Sequence, residues 1–311
     1  MLAIVAPGQG SQTPGFLAPW LENSHASQFI DHWSSLIDLD LRYLGTLADA
    51  DEIRETSNAQ PLLVAAGLLS AAILFEGNYQ SIRAFAGHSV GEITAIGIAD
   101  VITFDEAMTL VRARGHHMSV SAQGTNTGMA AVLGGTRENV LAGLHALDLT
   151  AANENGAGQI VAAGTMTNIE ALMANPPEGS RVRPLQVSGA FHTCVMEPAV
   201  EHLATIASGL DKRDSRSPVL SNKDGMALTN GAEIVNRIVG QIAGPVRWDL
   251  CMETLVSIGI TGVIELAPAG TLVGLLKRAA PSIATFALKS PEDLAKAHNF
   301  ISQHTASSEG K

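Results

Sequence analysis

The sequence predicts an α/β protein: a mostly parallel sheet domain into which a ferredoxin-like (βαββαβ) subdomain is inserted. Two observations predict it. Short apolar runs end in glycine turns that lead into helical patterns, which is how parallel strands join their crossover helices. Between residues 125 and 188 the order changes to strand, helix, strand, strand, helix, strand, the ferredoxin-like unit, with polar stretches at 123–128 before it and 175–180 within it. A large α/β domain of residues 1–124 and 189–311, interrupted by a subdomain at 125–188, is the expected organisation.

Taken in order, a strand over 3–6 runs into a glycine loop, and a strand over 82–86 ends in glycine before a helix over 91–98. Helical spacing fills 61–75 and 105–120. The subdomain reads as strands over 129–133, 150–153, 159–163 and 182–187, with helices over 137–147 and 167–174 and a turn at 154–158. A helix over 196–210, a strand near 218–221 and a helix over 233–243 follow. Further helices are expected over 248–258 and 272–278, separated by a strand over 262–266. The tail beyond His304 is small and polar, and is expected to fray.

Hydrophobic residues make up 46% of the 311 and charged residues 16%, which excludes disorder and suits a large core. A net charge of -11 with 4% aromatics is the opposite of a nucleic-acid binder's basic, stacking surface. The apolar start is short and lacks a basic flank, so no secretory signal is read. The longest apolar run, 62–75, contains Gly67 and Ser70 and reads as a buried core helix. Cys194 and Cys251 form no CxxC pair, which points to a reducing, cytoplasmic setting.

Gly87-His88-Ser89-Val90-Gly91 fits G-x-S-x-G between a strand and a helix. The glycines permit a tight turn that lifts the serine oxygen above the sheet edge. The N–H of Val90 then lies at a helix N-terminus, placed to stabilise an oxyanion. Such a serine needs a base, and His192, in the turn after the subdomain, is the best placed of ten histidines. Adjacent His116 and His117 point about 100° apart on a helix and form no i, i+4 metal pair; no metal site is read elsewhere. Arg114 falls on the inward stripe of Ala107, Leu110, Val111 and Met118, whereas Arg112 faces away. A guanidinium there needs an anion: either a buried carboxylate of the protein or a substrate carboxylate. Pro7-Gly8-Gln9-Gly10-Ser11-Gln12 lacks the ending of a phosphate loop, and its glutamine amide reads instead as a second oxyanion donor. Asn153-Glu154-Asn155 lies in a hairpin turn, where turn chemistry alone could account for it.

In this order, these motifs together with Glu92, Gly115, Pro245-Val246-Arg247-Trp248 and Glu265-Leu266-Ala267-Pro268 make the chain resemble the malonyl-CoA:acyl carrier protein transacylase family from about residue 3 to residue 278. The resemblance implies a hydrolase-like α/β domain with a ferredoxin-like insert. It implies a Ser89–His192 dyad whose imidazole is oriented by a backbone carbonyl near Arg247. It further implies an oxyanion hole of Gln9 and Val90, Arg114 on the malonyl carboxylate, and His88, Asn155, Phe191 and Arg247 about the substrate pocket. Ala190-Phe191-His192 is similar to relatives that choose malonyl over methylmalonyl. The implied partners are malonyl-CoA and an acyl carrier protein, with coenzyme A thioester as substrate, no permanently bound cofactor, no nucleic acid and no membrane; a monomer is expected. Arg181, Arg183, Lys277 and Arg278 are candidates for meeting an acidic carrier.

Other readings compete. A serine esterase or thioesterase of the α/β-hydrolase type would want an Asp or Glu between serine and histidine in chain order. A non-catalytic carrier-binding subunit would not need Ser89 and His192. A malonyl-loading subunit of another multienzyme complex would keep the chemistry and change the acceptor.

Overall fold

The computed structural model describes residues 1–187 and 189–305. Among them eleven strands and twelve α-helices build a mixed α/β fold with two sheets. The first stretch contains β1 (Leu2–Ala6), α1 (Ser24–Ile37), α2 (Leu41–Thr46), α3 (Thr56–Phe75), β2 (Ile82–Gly87), α4 (Gly91–Ile98) and α5 (Phe104–Ala122). The middle contains β3 (Thr127–Gly134), α6 (Arg137–Ala146), β4 (Thr150–Glu154), β5 (Gln159–Thr165), α7 (Met166–Ala174) and β6 (Ser180–Pro184). Then come α8 (Glu197–Ser208), β7 (Val219–Leu220), β8 (Ala227–Leu228), α9 (Gly231–Gln241), β9 (Val246–Arg247) and α10 (Trp248–Ser257). The last are β10 (Gly262–Glu265), α11 (Thr271–Ala279), β11 (Ala284–Ala287) and α12 (Leu294–Thr305).

The larger sheet has the order β11-β10-β1-β2-β7-β8 and is parallel except at the β7–β8 edge. All five residues of β1 are buried. Leu2 and Ile4 enter one core, with α3, α4 and α5, while Ala3 and Val5 enter a second, with α10 and α11. That is the two-sided burial expected of a parallel strand covered by helices on both faces. The smaller sheet has the order β6-β3-β5-β4-β9 and is antiparallel until β9 joins β4 in parallel. Its fifth strand therefore comes from beyond residue 188, a pairing that local pattern does not reveal.

Several expected elements move. The helix read over 61–75 starts at Thr56 and carries Pro61 in its second turn. At 20 residues it is long and apolar enough to cross a membrane, yet 83% of its most apolar window is buried inside the protein. The strand read over 182–187 runs instead from Ser180 to Pro184. Its pairing with β3 ends at Pro184, followed by one more bond from Leu185 N–H to Met129 O (2.9 Å), and Leu185 and Val187 line a cavity. The helix read over 196–210 is entered through a 3-10 turn at Cys194–Met196. Helices α1, α2 and α12 and strands β8, β9 and β11 were not anticipated from sequence. The tail expected beyond His304 lies, past Thr305, outside the described residues, as does Ser188 at the end of the expected subdomain.

Candidate active site

The sharp turn between β2 and α4 is dictated by its glycines. A Cβ on Gly87 would lie 2.0 Å from the Gly91 carbonyl carbon, and one on Gly91 would lie 2.2 Å from the Ala6 carbonyl oxygen. Only hydrogen fits at either position, so the turn packs directly on β1. Ser89 between them has φ 53°, a left-handed conformation that costs about 1–3 kcal/mol for a non-glycine residue. Its backbone is held from below: Ser89 N–H donates to Asn222 Oδ1 (2.7 Å), and Gln241 Nε2 donates to Ser89 O (3.2 Å).

His192 meets the elbow from 103 residues away, with Nε2 2.7 Å from Ser89 Oγ. It too has positive φ, 62°, fixed by a bond from its N–H to Ile242 O. Nδ1 lies 2.9 Å from the backbone carbonyl of Gln241. A carbonyl only accepts, so the ring proton sits on Nδ1 and the Nε2 lone pair is left for the serine O–H. Burial, and then the positive charge of Arg114, push the imidazole down from 6.5 to about 3, so it stays neutral at ordinary pH. The carbonyl expected near Arg247 is thus that of Gln241, at the end of α9 rather than on β9.

Arg114 is 1% exposed on the inward stripe of α5. Nη1 donates to Gln60 Oε1 (2.7 Å), and Nη2 donates to Gln241 Oε1 (2.9 Å) and Ser89 Oγ (3.2 Å). All three partners are neutral, and among the described residues no carboxylate forms an ion pair with it. Burial lowers the guanidinium to about 10, against the opposing pull of the Glu92 charge, and it remains a cation. Arg112, by contrast, donates to Ile37 O and Ser57 O, away from the serine.

Ser89, His192 and Arg114 open on a cavity of about 90 Å³. Met118, Met129, Leu185, Val187 and Phe191 form its apolar wall. Gln9 lines it too, and its side-chain amide donates to Arg54 O (3.2 Å) and Thr56 Oγ1 (3.4 Å). The backbone N–H groups of Gln9 and Val90 have no acceptor among the described residues. His88 lines the cavity and is tied to Asn155 Oδ1 (2.8 Å), so Asn155 reaches it only through that ring. Arg247 is turned to Asp249 (2.8 Å), with Glu154 at 3.5 Å, and does not line this cavity.

Three polar residues completing the site, Gln60, Asn222 and Gln241, were not singled out from sequence, and Glu92 was named only as part of a shared motif, without a role. Glu92 carried a signal, being the one acid in the otherwise apolar helix α4. Asn222 and Gln241 carried none, since their role depends on groups more than a hundred residues away. Glu92 is 2% exposed. Burial pushes its carboxyl up to about 8, opposed by the Asn222 N–H, the Arg114 charge, Gln241 and Arg237. Glu265 of the last shared motif caps α11 by accepting from the N–H groups of Gly270, Leu272 and Val273. Farther out, Arg181 and Arg278 share the rim of a cavity of about 670 Å³.

A serine hydroxyl with a neutral base on one side and a cation on the other can attack a carbonyl and carry its acyl group, the arrangement of an acyl-transfer enzyme. Residues 4–297 match the acyl transferase domain family. The chain is 47% identical over 296 residues to the malonyl CoA-acyl carrier protein transacylase of Mycobacterium tuberculosis, covering 94% of this chain and 98% of that one. It belongs to the acyl transferase domain family and, within it, to the malonyl CoA-acyl carrier protein transacylases. The crystal structure of the Mycobacterium tuberculosis protein superposes with a TM-score of 0.92, covering 95% of this chain and 99% of that one. A malonyl-transacylase in complex with its type II polyketide acyl-carrier protein superposes with a TM-score of 0.89 at 29% identity, covering 95% and 98%.

Proposed function

We infer that the protein transfers the malonyl group of malonyl-CoA to the phosphopantetheine thiol of an acyl carrier protein through an ester on Ser89. The observation that carries the reading is Arg114, a buried cation with no carboxylate of its own, 3.2 Å from the nucleophilic oxygen. Its excess charge is met when the acyl group brings a carboxylate to the guanidinium fork.

Each step follows from the geometry. His192 Nε2 takes the Ser89 proton as Oγ attacks the thioester carbonyl. The developing oxyanion is received by the backbone N–H groups of Gln9 and Val90, the second at the N-terminus of α4. Collapse breaks the carbon–sulfur bond, and the imidazolium returns its proton to the departing coenzyme A thiol. The carrier's thiol then gives its proton to His192, attacks the malonyl-serine ester and releases Ser89. Throughout, Arg114 keeps charge localised on the malonyl carboxylate and so opposes loss of carbon dioxide. The whole cycle uses the chain's own residues and the thioester; no permanently bound cofactor takes part.

An esterase of the α/β-hydrolase type is disfavoured by one contact: Nδ1 of His192 meets the Gln241 carbonyl where such an enzyme would place a carboxylate. Residues 125–188 are read as a ferredoxin-like insert, supported by the antiparallel order β6-β3-β5-β4 of their strands. The two unpaired cysteines favour the cytoplasm, and a monomer suffices because every group of the site comes from one chain. Intact protein mixed with malonyl-CoA should gain one malonyl group, located on Ser89 and absent from Ser89→Ala. An adduct that forms equally in Ser89→Ala removes the serine from the mechanism.

A further inference from the structure

Beneath the elbow, four side chains share one buried network. Glu92 accepts on both oxygens: Asn222 N–H donates to Oε1 (2.5 Å), and Gln241 Nε2 donates to Oε2. Asn222 in turn receives the Ser89 N–H on Oδ1 and donates Nδ2 to Gly87 O (2.8 Å). Gln241 turns its carboxamide nitrogen toward Glu92, Ser89 O and Asn222 Oδ1 (3.1 Å), and its oxygen toward Arg114. Asn222 is fully buried and Gln241 is 5% exposed, so neither exchanges these bonds for water.

We propose that Glu92 is a positioning residue: its carboxyl group fixes which way round the Gln241 carboxamide sits and thereby aims the Arg114 guanidinium at the acyl carboxylate. This rests on the reading of Arg114 as the carboxylate's partner. A carboxamide has two orientations, and only one suits Arg114. With the oxygen toward Nη2 the contact is a hydrogen bond; turned over, two N–H donors face each other in a buried site, at the expense of both. Glu92 selects between them because both of its oxygens accept, one from Asn222 N–H and the other from Gln241 Nε2. It stands in the first turn of α4, where the helix dipole also favours an anion. The arrangement keeps Glu92 one residue away from the guanidinium, with Gln241 between. That spacing matters: a carboxylate bonded directly to Arg114 would occupy the fork that the substrate needs.

Glu92→Gln tests this, because its amide must set a donor against either Asn222 N–H or the Gln241 nitrogen. The variant should show a higher KM for malonyl-CoA, and its ratio of malonyl to acetyl transfer should fall about tenfold, since acetyl-CoA has no carboxylate for Arg114 to meet. In the Arg114→Ala background, Glu92→Gln should leave that ratio where Arg114→Ala has already put it. Gln241→Leu breaks the same link while keeping the backbone carbonyl that orients His192, and should produce the same fall in the ratio should Glu92→Gln fold poorly. Thermal melting of each variant shows that the compared proteins are folded. Equal loss of malonyl and acetyl transfer in Glu92→Gln and Gln241→Leu, or effects of Glu92→Gln and Arg114→Ala that simply multiply, would overturn the proposal. If Arg114→Ala itself leaves the ratio unchanged, the reading of Arg114 fails first, and the two failures are told apart.

Discussion

The small cavity over Ser89 has two unlike walls. One is polar and over-determined: Gln60 bonds Arg114, and Arg114 and His192 are both held from behind by Gln241. The other is apolar, formed by Met118, Met129, Leu185, Val187 and Phe191, of which the two methionines are the adaptable members. The polar wall stands on helices and turns that pack against the parallel sheet. Met129 of the apolar wall comes from the antiparallel sheet, and Leu185 and Val187 from the segment that leaves it. The difference separates two tasks. Fixed donors and a fixed base set what chemistry occurs, since a misaligned hydrogen bond in a dry site loses most of its worth. Apolar contacts, which have no direction, set only how large an acyl group fits, and they discriminate by small steps.

Arg114→Ala attacks the polar wall where it is strongest. A charge-assisted hydrogen bond contributes about 1.5–3 kcal/mol, and an uncompensated buried charge costs about 3–5 kcal/mol, so kcat/KM for malonyl-CoA should drop by at least about 10²-fold. Acetyl transfer should hold or improve, and Arg114→Lys should rescue only in part because an ammonium cannot reproduce the planar fork. Steady-state kinetics with both thioesters, on protein shown by melting to be folded, decides it: a common factor of loss means the wall is structural only.

The apolar wall should give a smaller response. One misplaced methyl group is worth about 1–3 kcal/mol, so malonyl-CoA should be preferred over methylmalonyl-CoA by roughly 10–200-fold. Phe191→Leu, which removes ring volume beside the base, should narrow that gap while leaving the malonyl-over-acetyl preference to Arg114. Equal kcat/KM for the two dicarboxylic thioesters in the parent enzyme would end the assignment of Phe191.

The smallest effect is expected outside both walls. The net charge of -11 repels an acidic carrier, and Arg181 and Arg278 stand together on one rim. Arg181→Glu or Arg278→Glu should slow transfer to the carrier a few-fold at low salt, about as one surface charge pair is worth. Formation of malonyl-Ser89 should not change. A loss that is independent of salt, or that appears in the first half-reaction, would place these arginines elsewhere in function.

What could be read from the sequence was local. The elbow was legible because a G-x-S-x-G turn needs glycines two residues to either side of the serine, and those requirements are met within five positions. Arg114 was legible because helical spacing puts it on the same stripe as Leu110, Val111 and Met118, whichever elements pack there. Glu92 could have been read by the same rule, as an acid among apolar neighbours. Tertiary structure alone decided which carbonyl holds His192: the contact joins residues 49 apart, and the family resemblance placed it only near Arg247. It also turned the Gln9 amide toward Arg54, placed Asn222 beneath Ser89, and drew Val246–Arg247 onto the smaller sheet as β9. The physical reason is common to all four. Backbone sterics and side-chain periodicity act between near neighbours and are written in residue type, whereas the partner of a buried donor is whatever acceptor the packed chain brings within about 3 Å.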